Sequence, residues 1–194
     1  MPRSNSMQAH RKFPVETTRI KPDTSSHTMP KLAYLSLGSN VGDRAAHLRD
    51  AQARLSAADR VLAVSSFYET EPVEFAEQPW FLNCVLALET GKTPQQLMSA
   101  ILRIEEEMGR RRVQKKGPRS IDIDILLFDD LIIKDEVADS PELTIPHPAM
   151  HQRRFVLEPL AEIAPELLHP VLKKTVRELR DALPEGQGVR KRKV

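Results

Sequence analysis

The string IDIDILLF, Ile121–Phe128, constrains this chain more than any other. Apolar and β-branched residues fill nearly every position, which reads as a buried strand, yet Asp122 and Asp124 sit inside it. Alternate strand residues share a face, so the two carboxylates point the same way, roughly 6–7 Å apart along the backbone. Ile121, Ile123, Ile125 and Leu127 then point the other way, into a core. Two carboxylates at that spacing repel by about 2–3 kcal/mol at an effective dielectric near 20. A hard divalent cation would relieve this, and magnesium commonly takes one or two carboxylates together with substrate phosphates. The pair also fits a solvated strand face, where no cation is needed.

The neighbouring charges sharpen the choice. Arg110, Arg111, Arg112, Lys115, Lys116 and Arg119 crowd the loop just before the strand. Carboxylates for a metal beside cations for phosphate make a polyphosphate site, although a solvated basic loop accounts for the same residues. No GxxxxGK[ST] string occurs, which excludes a P-loop enzyme. GSNVGDR reads as a strand-to-helix turn or as a phosphate nest.

Elsewhere, Phe81 and Asn83 share a strand face two positions apart. A ring to stack on beside an amide that donates and accepts suits a planar heterocycle, as it also suits a core ring beside an edge amide. Phe155 and Tyr68 are further aromatic candidates. Trp80 and Cys84 face away from Phe81 and read as structural. His147, held between two prolines, and Arg153 suit either a phosphate contact or a packed turn. Glu105 lies on the flank of an apolar helical stripe, where a solvated carboxylate is expected.

The order of elements is legible from Lys31 onward. KLAYLSLGSN is a strand entering a turn, and Asp43 caps a helix with Leu48, Ala51, Leu55 and Ala58 at helical spacing. RVLAVSSFY and WFLNCVLALET are strands around a proline-bearing loop. Thr93–Gln96 forms a capping box with proline at the first helical position, and Gly109 closes that helix. With IDIDILLF the pattern is β-α-β-β-α-β: an α+β, ferredoxin-like core in which helices pack on an antiparallel sheet, followed by a C-terminal extension. Helical pieces are expected near VLEPLAEIAP and KKTVRELRDAL. Residues 1–30, with four prolines and no apolar period, read as a disordered extension, residues 31–184 as the domain, and 185–194 as a basic, frayed tail.

Composition bounds the class. The 194 residues suffice for one domain, and a net charge of +2 is too small to imply nucleic acid or membrane. Lone Cys84 excludes an intramolecular disulfide and favours a reducing compartment. No apolar run approaches the roughly 20 residues of a membrane span. A cytoplasmic monomer acting on small molecules is expected.

Six stretches in order, YLSLGSNVGDR, SSFYETEPV, QPWFLN, RIEEEMGR, GPRSIDIDILLF and LTIPHPAMHQRRFVLEPL, resemble the 6-hydroxymethyl-7,8-dihydropterin pyrophosphokinases of folate biosynthesis, from about Leu32 to Pro165. The resemblance implies transfer of pyrophosphate from ATP to the pterin hydroxymethyl group, with release of AMP. It places two Mg2+ ions on Asp122 and Asp124, and catalytic phosphate contacts on Arg110, Arg112 and Arg119. The pterin would be held by Thr70, Val73, Phe81, Asn83 and Phe155. ATP would meet Leu102, Glu105, Arg112, Thr144, His147 and Arg153. This chain departs from many relatives at Lys116, where a tryptophan is common, and at Glu71, where an apolar residue is frequent; Phe81 replaces the tyrosine of some relatives. Three other readings are an RNA-binding ferredoxin-like module, a metal-dependent phosphodiesterase, and a catalytically reduced paralogue that senses pterin or nucleotide.

Overall fold

In β1 (Lys31–Ser39), Leu35 and Leu37 alternate with Ser36 and Gly38, so one face is apolar and the other is small and polar. The computed structural model of the chain describes residues 29–72, 78–109, 117–135 and 143–193. After β1 come α1 (Arg44–Ser56), β2 (Arg60–Val64), β3 (Phe67–Thr70), β4 (Phe81–Thr90), α2 (Pro94–Glu107) and β5 (Asp122–Phe128). With β8 (Val189–Arg192) at the C-terminal end, the main sheet runs β5-β1-β4-β3-β8 in space, with β2 also paired to β4, and every pairing is antiparallel. This is the ferredoxin-like order, with one change: RVLAVSSFY breaks at Ser65–Ser66 into two strands. The Ser65 hydroxyl accepts from the Val85 amide at the break, satisfying a backbone donor that the ladder leaves over.

The local signals act as their chemistry dictates. Asp43 caps α1 through the Ala46 amide. Thr93 and Gln96 complete the reciprocal capping box of α2, and Gly109 ends that helix at φ +79°. Leu48, Ala51 and Leu55 of α1 and Leu97, Ile101 and Ile104 of α2 bury one sheet face together with Leu35, Leu37, Cys84, Ile121, Ile123 and Ile125. Leu127 does not join them as period two requires. The β1–β5 register shifts between Tyr34 and Leu35, and the irregularity returns Phe128 to that face while Leu126 and Leu127 pack on the other.

The opposite face is half covered. After a small ribbon of β6 (Ile133–Asp135) and β7 (Leu143–Ile145), α3 (Arg154–Ile163) and α4 (Val176–Asp181) pack on Val85, Leu126 and Leu127. The helices therefore flank both sides of the sheet. The C-terminal tail is not frayed: β8 (Val189–Arg192) adds to β3, with Val189 opposite Thr70 and Arg192 opposite Phe67. Its Arg and Lys side chains guard a sheet edge against further strand addition.

Candidate active site

The uncovered end of the second sheet face is a pocket. Ser36 and Gly38 of β1 form its floor beside Phe81 and Asn83 of β4 and Asp122 and Asp124 of β5; Thr70, Pro72 and Gln78 form one wall, and Arg119, Arg153 and Phe155 another. Register explains the grouping: Gly38 pairs with Asn83 on one side and Asp122 on the other, and Ser36 pairs with Asp124. Gly38 is required here, since a Cβ would lie 2.6 Å from Asn83 Oδ1. With that space kept, buried Asn83 donates through Nδ2 to Thr70 Oγ1 at 2.7 Å.

Arg119 bridges the two halves of the pocket. Asn40 holds its backbone, accepting from the Arg119 amide at 2.8 Å and donating its own amide to the Arg119 carbonyl at 3.2 Å. The guanidinium then pairs with Asp122 at 3.1 Å and lies over the Phe81 ring, 5.7 Å from its centroid. Its Nε is buried without a hydrogen-bond partner among the described residues. Arg153 lies similarly over Phe155, at 5.5 Å.

Burial and the neighbouring Asp122 charge push the Asp124 carboxyl up to about 7, and Arg153 and Arg119 only partly oppose them. The donor set fits a hard cation: two carboxylate groups on one strand, one of which holds its proton well above the usual carboxylate range and would release it to a cation. Among the described residues no cluster of three or more His, Cys, Asp or Glu closes a metal site by itself. Such an ion would take its remaining ligands from water and phosphate, as magnesium commonly does.

Of the residues singled out in the sequence, Thr70, Phe81, Asn83, Arg119, Asp122, Asp124, Arg153 and Phe155 converge on this pocket. Leu102, Glu105, Thr144 and His147 are not in its lining, and Val73, Arg110, Arg112 and Lys116 lie outside the described residues. Glu105 is not solvated: it is 3% exposed and accepts from the Ile123 amide at 2.8 Å, fastening α2 to β5 between the two aspartates. His147 accepts at Nδ1 from the Ala149 amide, and burial with the Arg153 charge lowers it to about 4, so the ring is neutral. Ser36, Gly38, Pro72 and Gln78 are additions; the small-polar alternation of LSLGS was the available signal for the first two.

The family model of 7,8-dihydro-6-hydroxymethylpterin-pyrophosphokinase (HPPK) matches residues 34–165. The Bacillus subtilis 2-amino-4-hydroxy-6-hydroxymethyldihydropteridine pyrophosphokinase is 42% identical over 164 residues, covering 84% of this chain and 90% of that protein. The folic acid synthesis protein fol1 of Schizosaccharomyces pombe is 45% identical over 165 residues, but the match spans 84% of this chain and only 22% of that longer protein. The corresponding protein of Dictyostelium discoideum is 37% identical over 169 residues, covering 87% of this chain and 25% of its own length. In fold, the chain resembles the wild-type HPPK-DHPS of Plasmodium falciparum, with a TM-score of 0.63, 20% identity, and coverage of 81% of this chain and 45% of that one. The chain belongs to the 7,8-dihydro-6-hydroxymethylpterin-pyrophosphokinase family.

Proposed function

We propose that this chain transfers the β,γ-pyrophosphoryl group of ATP to the hydroxymethyl oxygen of 6-hydroxymethyl-7,8-dihydropterin in folate biosynthesis. A bond forms between that oxygen and Pβ, the bridge from Pβ to Pα breaks, AMP leaves with the bridging oxygen, and the hydroxyl proton passes to solvent. The observation that carries this reading is the two-sided pocket. A ring and a buried amide (Phe81 and Asn83) sit beside paired carboxylates and two guanidinium groups (Asp122, Asp124, Arg119 and Arg153).

The residues divide the work by their chemistry. Phe81 and Phe155 would stack the pterin, while Asn83, Thr70 and Val73 read its edge. Asp122 and Asp124 would hold two magnesium ions, which neutralise the triphosphate when bound. The buried Arg119 Nε, without a hydrogen-bond partner among the described residues, is a ready donor toward the ligand. By family resemblance Arg110 and Arg112 join it on the phosphates, and Leu102, Glu105, Thr144, His147 and Arg153 form the nucleotide side. Rate then comes from holding the two substrates in line and from preorganised positive charge.

Part of the sheet face that a ferredoxin-like RNA module would offer is covered here by α3 and α4, and the uncovered end carries paired carboxylates that repel phosphates without a metal, which favours the enzyme. No helix among the described residues is long and apolar enough to cross a membrane. A cytoplasmic monomer acting on small molecules completes the proposal. The test is AMP release from ATP and magnesium with and without the pterin. AMP and pterin pyrophosphate only when both substrates are present are the expected result. ADP or phosphate release without pterin would replace this reading with a hydrolase.

A further inference from the structure

The C-terminal segment departs most from the expectation of a frayed end, and its contacts are with the pocket walls. Gln187 Oε1 accepts from the Arg154 amide at 2.9 Å. That amide belongs to the first turn of α3, whose N-cap, Arg153, makes no capping bond with its own side chain. Gln187 thus caps, from 33 residues away, the helix end that carries Arg153 and Phe155. The next residue reaches the wall formed by Thr70 and Pro72. The Gly188 amide donates to Glu71 Oε2 at 3.0 Å, and the Glu71 amide donates back to the Gly188 carbonyl at 3.0 Å. No larger residue fits at 188 without displacement, since a Cβ would lie 2.9 Å from Glu71 Cδ. Val189 then pairs with Thr70, and the Arg190 guanidinium lies 5.4 Å from the centroid of the Trp80 ring, just before Phe81.

We infer that Gln187–Arg190 is a strap that sets the width of the substrate pocket, with Gln187 and Gly188 as positioning residues for its two walls. Two consecutive residues bond the neighbour of Phe155 and the neighbour of Thr70, so a dipeptide ties the two pocket segments together. This also accounts for Glu71: its carboxylate is engaged by the Gly188 amide, which gives a charged residue a structural task at the pocket rim. The inference rests on the pterin reading of the pocket given above.

The test uses the full chain and three readouts: 6-hydroxymethylpterin binding by fluorescence with α,β-methylene ATP present, binding of that nucleotide alone by calorimetry, and thermal unfolding. Gln187→Met removes the capping oxygen at nearly constant volume, and Gly188→Ala displaces the Glu71 carboxylate. Each should raise the pterin Kd about fivefold, the scale of a lost helix cap, and leave the nucleotide Kd within about twofold. Gln187→Glu, which keeps an oxygen acceptor at the helix end, should restore binding. In a Glu71→Ala background, Gly188→Ala should add nothing further, because the atoms it would strike are gone. Unchanged pterin affinity in both single variants overturns the strap, as does equal weakening for both ligands. A wild-type chain that binds the nucleotide but no pterin overturns the pocket reading, and the strap with it.

Discussion

Two carboxylate sites in this molecule are treated in opposite ways. Burial alone would raise the Glu162 carboxyl, but donors from Tyr68, Ser66 and Lys191 surround it at 2.8–3.1 Å and hold it below the usual range. It ties α3 to the β2–β3 break and to β8, and its bonds are complete within the chain. At Asp124 burial and a like charge dominate, and the carboxyl is pushed up to about 7. The contrast separates a carboxylate that serves the fold from one whose charge is left for a ligand to complete.

The strongest way to break this contrast is Asp124→Asn. Turnover should fall by about 100-fold or more, the scale of losing a preorganised electrostatic contact, while the metal-free chain melts no lower than wild type at pH 7. Near-normal turnover would remove Asp124 from the chemistry. Glu162→Gln should do the reverse: about 2 kcal/mol of stability lost, a fall in Tm of about 4–8 °C, and kcat nearly kept. A large loss of kcat with normal melting would place Glu162 in the site instead. Asn83→Ala sharpens the division inside the pocket, raising the pterin Kd about tenfold with ATP affinity unchanged, as expected for one lost buried polar contact. Equal losses for both ligands would remove Asn83 from the pterin side.

In the wild-type chain the smallest expected effect is a net tilt of stability with pH, because two opposing contributions nearly cancel. In the metal-free chain, folded Asp124 keeps a proton that the unfolded chain has lost between about pH 4 and 7, so its contribution makes stability fall as pH rises. His147 runs the other way. Held down to about 4 against 6.5, it stays neutral where the unfolded chain is protonated, so its contribution is lost as pH falls from 6.5 toward 4. The two nearly oppose each other over one window. Asp124→Asn should therefore melt at rising temperature from pH 4 to 6.5, and His147→Asn at falling temperature from pH 4 to 7. Profiles identical to wild type in both variants would show that neither group titrates as the geometry requires.

The sequence alone determined what short-range chemistry controls. Asp43, the Thr93–Gln96 box and Gly109 set helix ends because a cap acts within one turn. Period two put Asp122 and Asp124 on one face and the isoleucines on the other because a strand alternates. It failed at Leu127, where pairing with β1 slips, and at Glu105, whose partner is the Ile123 amide on another element. Only the tertiary structure decided that Gly38 makes room for Asn83, that Asn40 aims Arg119 from 79 residues away, and that Gly188 closes on Glu71 across 117. Such contacts depend on the order and register in which strands meet. Atoms brought to 3 Å by a sheet leave no mark in the spacing of either segment, whereas a cap or a strand face is written within a few residues of itself.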